Sequence, residues 1–143
     1  MSNESLKNEL DAFMKAHPET RFMDVFVPDM NGIPRGKRIQ ADDFAKAFGK
    51  GANYCASSVL LDCKGDASYK IVYGAFDGDP DVMSHAVGGS LAPVPWASLP
   101  TAQCILELSG FDGTPYFLDP RNVLRNALQP LKDMGLHPVM ATE

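Results

Sequence analysis

Apolar residues recur at helical spacing between Ser5 and Ala16, where Leu6, Leu10, Phe13 and Met14 form a stripe. His17-Pro18 ends that run, because the residue before proline is biased away from the α region. Arg21 to Val27 (RFMDVFV) then alternates, which predicts a strand with Phe22, Val25 and Val27 partly buried. Pro28-Asp29-Met30-Asn31-Gly32 reads as a turn, since Pro28 stops the strand and Asn-Gly tolerates positive φ. Pro34 to Ile39 (PRGKRI) returns as the second arm of a hairpin, with Arg35 and Lys37 on one face.

Ala41 to Phe48 predicts a short helix with Asp42 and Asp43 in its first turn, stopped by Gly49-Lys50-Gly51. Those glycines lack the spacing of a phosphate loop. Ser57 to Leu61 predicts a strand whose apolar end, Val59-Leu60-Leu61, delivers Asp62 to a long Gly/Asp-rich loop. A loop of that length in a domain is usually functional or disordered. Asp77-Gly78-Asp79-Pro80-Asp81 imitates the start of a calcium loop, but Val82 and Gly88 stand where glycine and glutamate belong, so an acidic turn is the better reading. Leu91 to Val94 reads as an edge strand because of Pro93 and Pro95, and Trp96 as a core or interface anchor. Gln103 to Leu108 is a strand. Asp119 to Met134 predicts a helix, with Asp119 as cap, Pro120 at the first position, and Val123, Leu124, Ala127, Leu128, Leu131 and Met134 at helical spacing. Leu136 to Ala141 is expected to return as a strand toward Glu143. This order of elements predicts an α+β fold, helices packed on a mixed sheet.

The 143 residues fit one domain, and 45% apolar against 22% charged residues suits an ordinary globular core. A net charge of −5 argues against nucleic acid as a partner, because neutralising phosphates takes clustered Lys and Arg. No apolar run approaches the roughly 20 residues of a membrane span, and the N-terminus lacks a signal layout. The expectation is no membrane partner and a cytoplasmic location. Cys55, Cys63 and Cys104 show no metal-binding spacing and read as free thiols. His17, His85 and His137 are dispersed. The stop just after Pro138-Val139-Met140 suggests a fragment of a larger protein.

In their order and spacing, FVPDMNGIPRGKR (Phe26 to Arg38), Val59-Leu60-Leu61-Asp62, Asp79-Pro80-Asp81, LAPVPW (Leu91 to Trp96), Asp119-Pro120-Arg121 and the terminal Ala141-Thr142-Glu143 resemble the amino-terminal domain of glutamine synthetases. The resemblance runs from about residue 20 to residue 143 and leans toward the γ-glutamylpolyamine and γ-glutamylputrescine synthetase-like branch. It implies a β-grasp-like fold, divided here as residues 1–20 (N-terminal helical extension), 21–118 (β-grasp domain) and 119–143 (helix and strand leading to a catalytic domain absent from this chain). It also implies an ATP-dependent ligase that joins glutamate to ammonia or a larger amine through γ-glutamyl phosphate, with Mg²⁺ or Mn²⁺. Its active site would lie between one subunit's catalytic domain and its ring neighbour's amino-terminal domain, and the fragment alone would be inactive.

The resemblance carries two residues over. Asp62 matches the aspartate that helps bind and deprotonate ammonium; a carboxylate both attracts the cation and can take its proton. Glu143 matches the first glutamate of a Glu-x-Glu metal-binding pair, whose partner lies beyond this chain, so no cofactor is expected on the fragment itself. Cys63-Lys64-Gly65 follow Asp62 where typical members have Gly-Ser-Ser. Ser84 to Ser90 is expected to be a loop facing a ring neighbour. Other readings stay open: Asp62 as a turn-forming carboxylate, Arg35, Lys37 and Arg38 as solvating charges on an edge strand, and the whole chain as a free-standing β-grasp interaction module without catalysis.

Overall fold

The computed structural model describes residues 3–67, 70–73 and 76–141. Helix α1 (Asn3–Ala16) buries Leu6 and Leu10 of the expected stripe. Strands β1 (Phe22–Pro28) and β2 (Pro34–Gln40) form the expected antiparallel hairpin. Its turn needs Gly32, which sits at φ +76° in the left-handed region that a side chain disfavours. Met23, Val25 and Val27 are the buried residues of β1. Phe22 is partly buried as expected, but not on the face of Val25 and Val27. Side chains alternate across a strand, so the face that takes Val25 and Val27 also takes Met23. Phe22 turns to the other face, where the Arg38 guanidinium lies 5.9 Å from its ring centre.

After β2 the chain makes a short 3₁₀ turn and then α2 (Phe44–Phe48), whose Phe44 and Phe48 are buried. Strands β3 (Ala52–Cys55), β4 (Asp81–Ala86), β5 (Ala92–Pro93) and β6 (Thr101–Ser109) follow, then α3 (Pro120–Asp133). The main strand path is β2-β1-β6-β4-β3. The first and last strands lie side by side and parallel, Phe22 opposite Thr101 through Phe26 opposite Ile105, while the β1–β2, β3–β4 and β4–β6 pairs are antiparallel. This is the mixed α+β sheet with helices, in the β-grasp-like arrangement expected from the sequence. The sheet curls enough for Tyr54 on β3 to donate its hydroxyl to the backbone oxygen of Arg35 on β2, at 2.6 Å. Burial pushes the Tyr54 hydroxyl up to about 12, so it stays a donor at physiological pH. The core lies inside the curl: Val25, Val27, Cys104, Leu106 and Leu108 from the central strands, Phe48 from α2, and Val59.

Four expectations change here. Ser57 to Leu61 is no strand: Ala56–Leu60 forms a 3₁₀ helix. Three consecutive apolar residues do not distinguish strand from helix by themselves. The Ser57 amide is taken by the Asp79 carboxylate, and the Val59 carbonyl accepts from the Met30 amide. These contacts coil the segment inward and bury Val59. The long loop after Asp62 is interrupted by β4, so Ser84 to Ala86, expected to be loop, is strand; Ser84 is buried and donates its hydroxyl to the Ala52 oxygen at 2.8 Å. Leu136 to Ala141 forms no strand. Trp96 is 76% exposed rather than packed in the core, in the turn between two prolines and β6. Trp96→Ala is accordingly expected to move the chain's stability in a urea titration by no more than about 0.5 kcal/mol.

Helix α3 begins as its sequence predicts, yet of its residues only Asn122 is buried, and Val123 and Leu124 are exposed. Polar contacts hold it. The Asp119 carboxylate, fully buried, accepts from the Arg121 amide at 2.8 Å and from the Leu108 amide of β6 at 2.7 Å. The Asn122 side chain donates to the Leu108 and Tyr116 carbonyls. Arg125 reaches across to Glu107 at 3.0 Å.

Candidate functional site

Asp62 stands exposed, directly after the 3₁₀ helix, at the head of a tight turn. Its amide donates to the Asp66 carbonyl, and its own carbonyl accepts from the Gly65 amide. One carboxylate oxygen, Oδ1, accepts from the amides of Lys64 at 2.8 Å and Asp66 at 2.9 Å. Oδ2 makes no hydrogen bond among the described residues. The Asp66 and Lys64 amides, followed by the Gly65 amide and the Arg35 charge, hold the Asp62 carboxyl below the usual carboxylate range against a small opposing effect of burial. Hydrogen bonds to the charged form have that effect. Asp62 is thus a turn-forming carboxylate, as one reading of the sequence had it, and also an exposed, ionised side chain whose Oδ2 takes no hydrogen bond from the described residues. The two descriptions are compatible because they use different oxygens.

The β1–β2 turn reaches over to this segment. The Asp29 side chain is fully buried, and its Oδ1 accepts from the Asn31 amide at 2.8 Å and the Ile33 amide at 2.9 Å. Oδ2 accepts from Arg35 Nε at 2.8 Å, and Arg35 Nη2 donates to the Asp62 backbone oxygen at 2.6 Å. The Asn31 side-chain amide donates to the Leu61 oxygen at 2.8 Å. Gly65, at φ +90°, lets the turn close under Arg35: a Cβ there would lie 3.2 Å from Nη1. Arg35 is therefore not a solvating edge charge, which corrects that expectation. Arg38, on the other face of β2, pairs with Asp24 through two bonds, of 2.8 and 2.9 Å, and is half exposed. Lys37 lies 5.9 Å from the centre of the Tyr54 ring.

Asp29 and the long-range role of Arg35 were not foreseen. An aspartate two residues before Asn-Gly does signal a side chain that bonds amides ahead of it. Nothing in the sequence pairs Arg35 with a residue 27 positions on. Glu143 lies outside the described residues. Among the described residues, no group of three or more His, Cys, Asp or Glu side chains is placed to hold a metal.

The fold is that of the glutamine synthetase amino-terminal domain. One solved structure, of a glutamine synthase homolog, overlays 80% of this chain with a TM-score of 0.66 at 21% identity, using 27% of its own length. The glutamine synthetase of Plasmodium falciparum overlays 94% of the chain with a TM-score of 0.64 at 15% identity, using 23% of its length. Among curated proteins, the relatives are glutamine synthetase family members. The γ-glutamylputrescine synthetase PuuA of Escherichia coli is 35% identical over 135 residues, 94% of this chain and 28% of PuuA. The glutamine synthetase of Pyrococcus abyssi is 27% identical over 128 residues, 86% of this chain and 25% of that protein. No protein-family model matches the chain. The chain thus spans about a quarter of the length of the curated relatives it matches.

Proposed function

We propose that this chain is the amino-terminal part of an ATP-dependent ligase that joins glutamate to ammonia or a larger amine, and that Asp62 supplies the amine-side carboxylate to a neighbouring subunit's active site. The observation that carries the reading is the 35% identity to a γ-glutamylputrescine synthetase across 94% of the chain. The state of Asp62 fits it: an exposed, ionised carboxylate with one oxygen pinned by amides and the other without a partner among the described residues. A depressed pKa makes a carboxylate a good partner for a cation and a poor proton acceptor. In this reading the exposed, ionised Asp62 attracts and orients the protonated amine.

In this reading residues 119–143 lead into the catalytic domain, and the exposed Val123 and Leu124 of α3 are covered by it. There the glutamate side-chain carboxylate would take the γ-phosphoryl group of ATP with ADP leaving, a divalent metal would neutralise phosphate charge, and the amine would then displace phosphate. Glu143 would be the one residue of this chain to touch the metal, and no step is assigned to it. The part described here would be inactive alone and complete a cleft only within a ring of subunits. The second reading is an interaction module that binds a protein partner through residues 57–96 and does no chemistry, and the exposed Phe76 and Trp96 of that stretch suit it.

The test is ADP release by the full-length ligase with glutamate plus ammonia, putrescine or other amines. Asp62→Asn is expected to raise KM for the amine about tenfold, the scale of a lost hydrogen bond to a charged group, with KM for ATP unchanged. A full-length protein that releases no ADP with any amine, or an Asp62→Asn variant with unaltered amine KM, sinks the reading.

A further inference from the structure

We propose that Arg35 and Asn31 are positioning residues: together they grip the backbone carbonyls of Asp62 and Leu61 and so set the direction in which the Asp62 carboxylate leaves the surface. The inference deepens the reading of Asp62 as the amine-side carboxylate and rests on it for its functional meaning. The grip itself is a matter of geometry. Two consecutive carbonyls are held by two side chains of one hairpin, Leu61 by Asn31 at 2.8 Å and Asp62 by Arg35 at 2.6 Å. A third bond, from the Met30 amide to the Val59 carbonyl at 3.0 Å, fixes the segment just before them. The two sequences meet along one short seam.

The guanidinium suits this task in a way an ammonium does not. Arg35 donates from Nε to the buried Asp29 and from Nη2 to Asp62. Both nitrogens belong to one rigid plane, so the position of the Asp62 carbonyl is referred to a carboxylate that is itself locked by the Asn31 and Ile33 amides. The Tyr54 hydroxyl, bonded to the Arg35 carbonyl, anchors the other end of the same residue. On the Asp62 side, the gripped carbonyl also accepts from the Gly65 amide, and the carboxylate accepts from the Lys64 and Asp66 amides. Moving the carbonyl would therefore move the turn that pins Oδ1, and with it the oxygen left for a ligand. Arg35 acts through Asp62 and not on the amine.

Arg35→Lys separates positioning from bracing. Lysine keeps the charge beside Asp29, so the buried carboxylate stays paired, but its single nitrogen does not serve both acceptors. In the ¹⁵N-labelled chain, Arg35→Lys and, independently, Asn31→Ala are expected to speed amide exchange at Lys64, Gly65 and Asp66 about tenfold, the scale of one net hydrogen bond. The Asp62 carboxyl, followed by ¹³C NMR, is expected to titrate closer to the ordinary aspartate value as its amide donors loosen. Leu106 and Leu108 amides should keep their protection, and Arg38→Gln, on the opposite face of β2, should leave the turn as it was. The proposal is overturned if both variants keep the wild-type exchange and titration at the turn. It is equally overturned if exchange rises evenly across the sheet, which marks Arg35 as a brace alone. In the full-length ligase, Arg35→Lys should raise the amine KM as Asp62→Asn does, and the double variant no further. A ligase with normal amine KM but a loosened turn sinks the Asp62 reading and leaves the grip standing. An unaltered turn in an active ligase sinks the grip and leaves the reading standing.

Discussion

Asp29→Ala is expected to destabilise the chain by about 3 kcal/mol, because breaking a buried ion pair from one side strands the other partner. Three donors would lose their acceptor at once: the Asn31 amide, the Ile33 amide and Arg35 Nε. The side chain removed is fully buried, whereas that of Arg35 is 19% exposed, so water recovers part of the loss. A urea titration of the two chains measures the difference, and a loss below about 1 kcal/mol would place Asp29 among ordinary surface pairs. The same cluster predicts a pH dependence. Burial pushes Asp29 up, but the Ile33 amide, the Arg35 guanidinium and the Asn31 amide outweigh it, and its folded-state pKa lies below the usual carboxylate value. A group lowered on folding adds stability above its unfolded pKa and loses it as pH falls through the folded one. Wild-type stability should therefore decline as pH drops below about 4, the ordinary aspartate value, and Asp29→Ala should flatten that decline.

Asp119→Ala is the second large effect, also about 3 kcal/mol: roughly 1 from the lost cap and the rest from a stranded buried amide. The amide is that of Leu108, whose neighbours on β6 are core residues and to which water has little access. The damage should be directional. Helix α3 buries only Asn122, so its attachment rests on the Asp119 and Asn122 contacts and the Arg125–Glu107 pair. Limited proteolysis should cut Asp119→Ala between Ser109 and Pro120 at urea concentrations where the wild-type chain is intact. Circular dichroism should show helix lost before sheet. Simultaneous loss of both would mean that α3 is tied to the core more widely than these contacts indicate.

How much could be read from residues alone depended on how local the cause was. The hairpin, the α3 cap and the β6 strand follow from periodicity and capping chemistry within a few positions, and they stand where expected. Ser57 to Leu61 did not, because its conformation is decided by Asp79 and Met30, far away in sequence. Strands β3 and β4 were hidden by composition: an acidic, Pro-containing turn leads straight into β4, and only its burial alternation, visible in the fold, marks it as strand. Of the two readings of Trp96, the core one failed for a different reason. Size predicts a preference for burial, not the presence of a cavity to receive it. Asp62 and its turn-forming role were legible in the sequence, whereas the Arg35 and Asn31 bonds to its segment were not, because they come from a hairpin far away in the chain.

The pairing of β1 with β6 carries a consequence for how the molecule is made. On the ribosome, the first hairpin emerges long before the strand that will lie along its inner side, since residues 22–26 await residues 101–105. Contacts that span most of a chain form slowly, and an unpaired strand edge invites association with other chains. Until residues 101–105 arrive, the hairpin lacks the strand that pairs with its inner edge, and the core around Met23, Val25 and Val27 is incomplete.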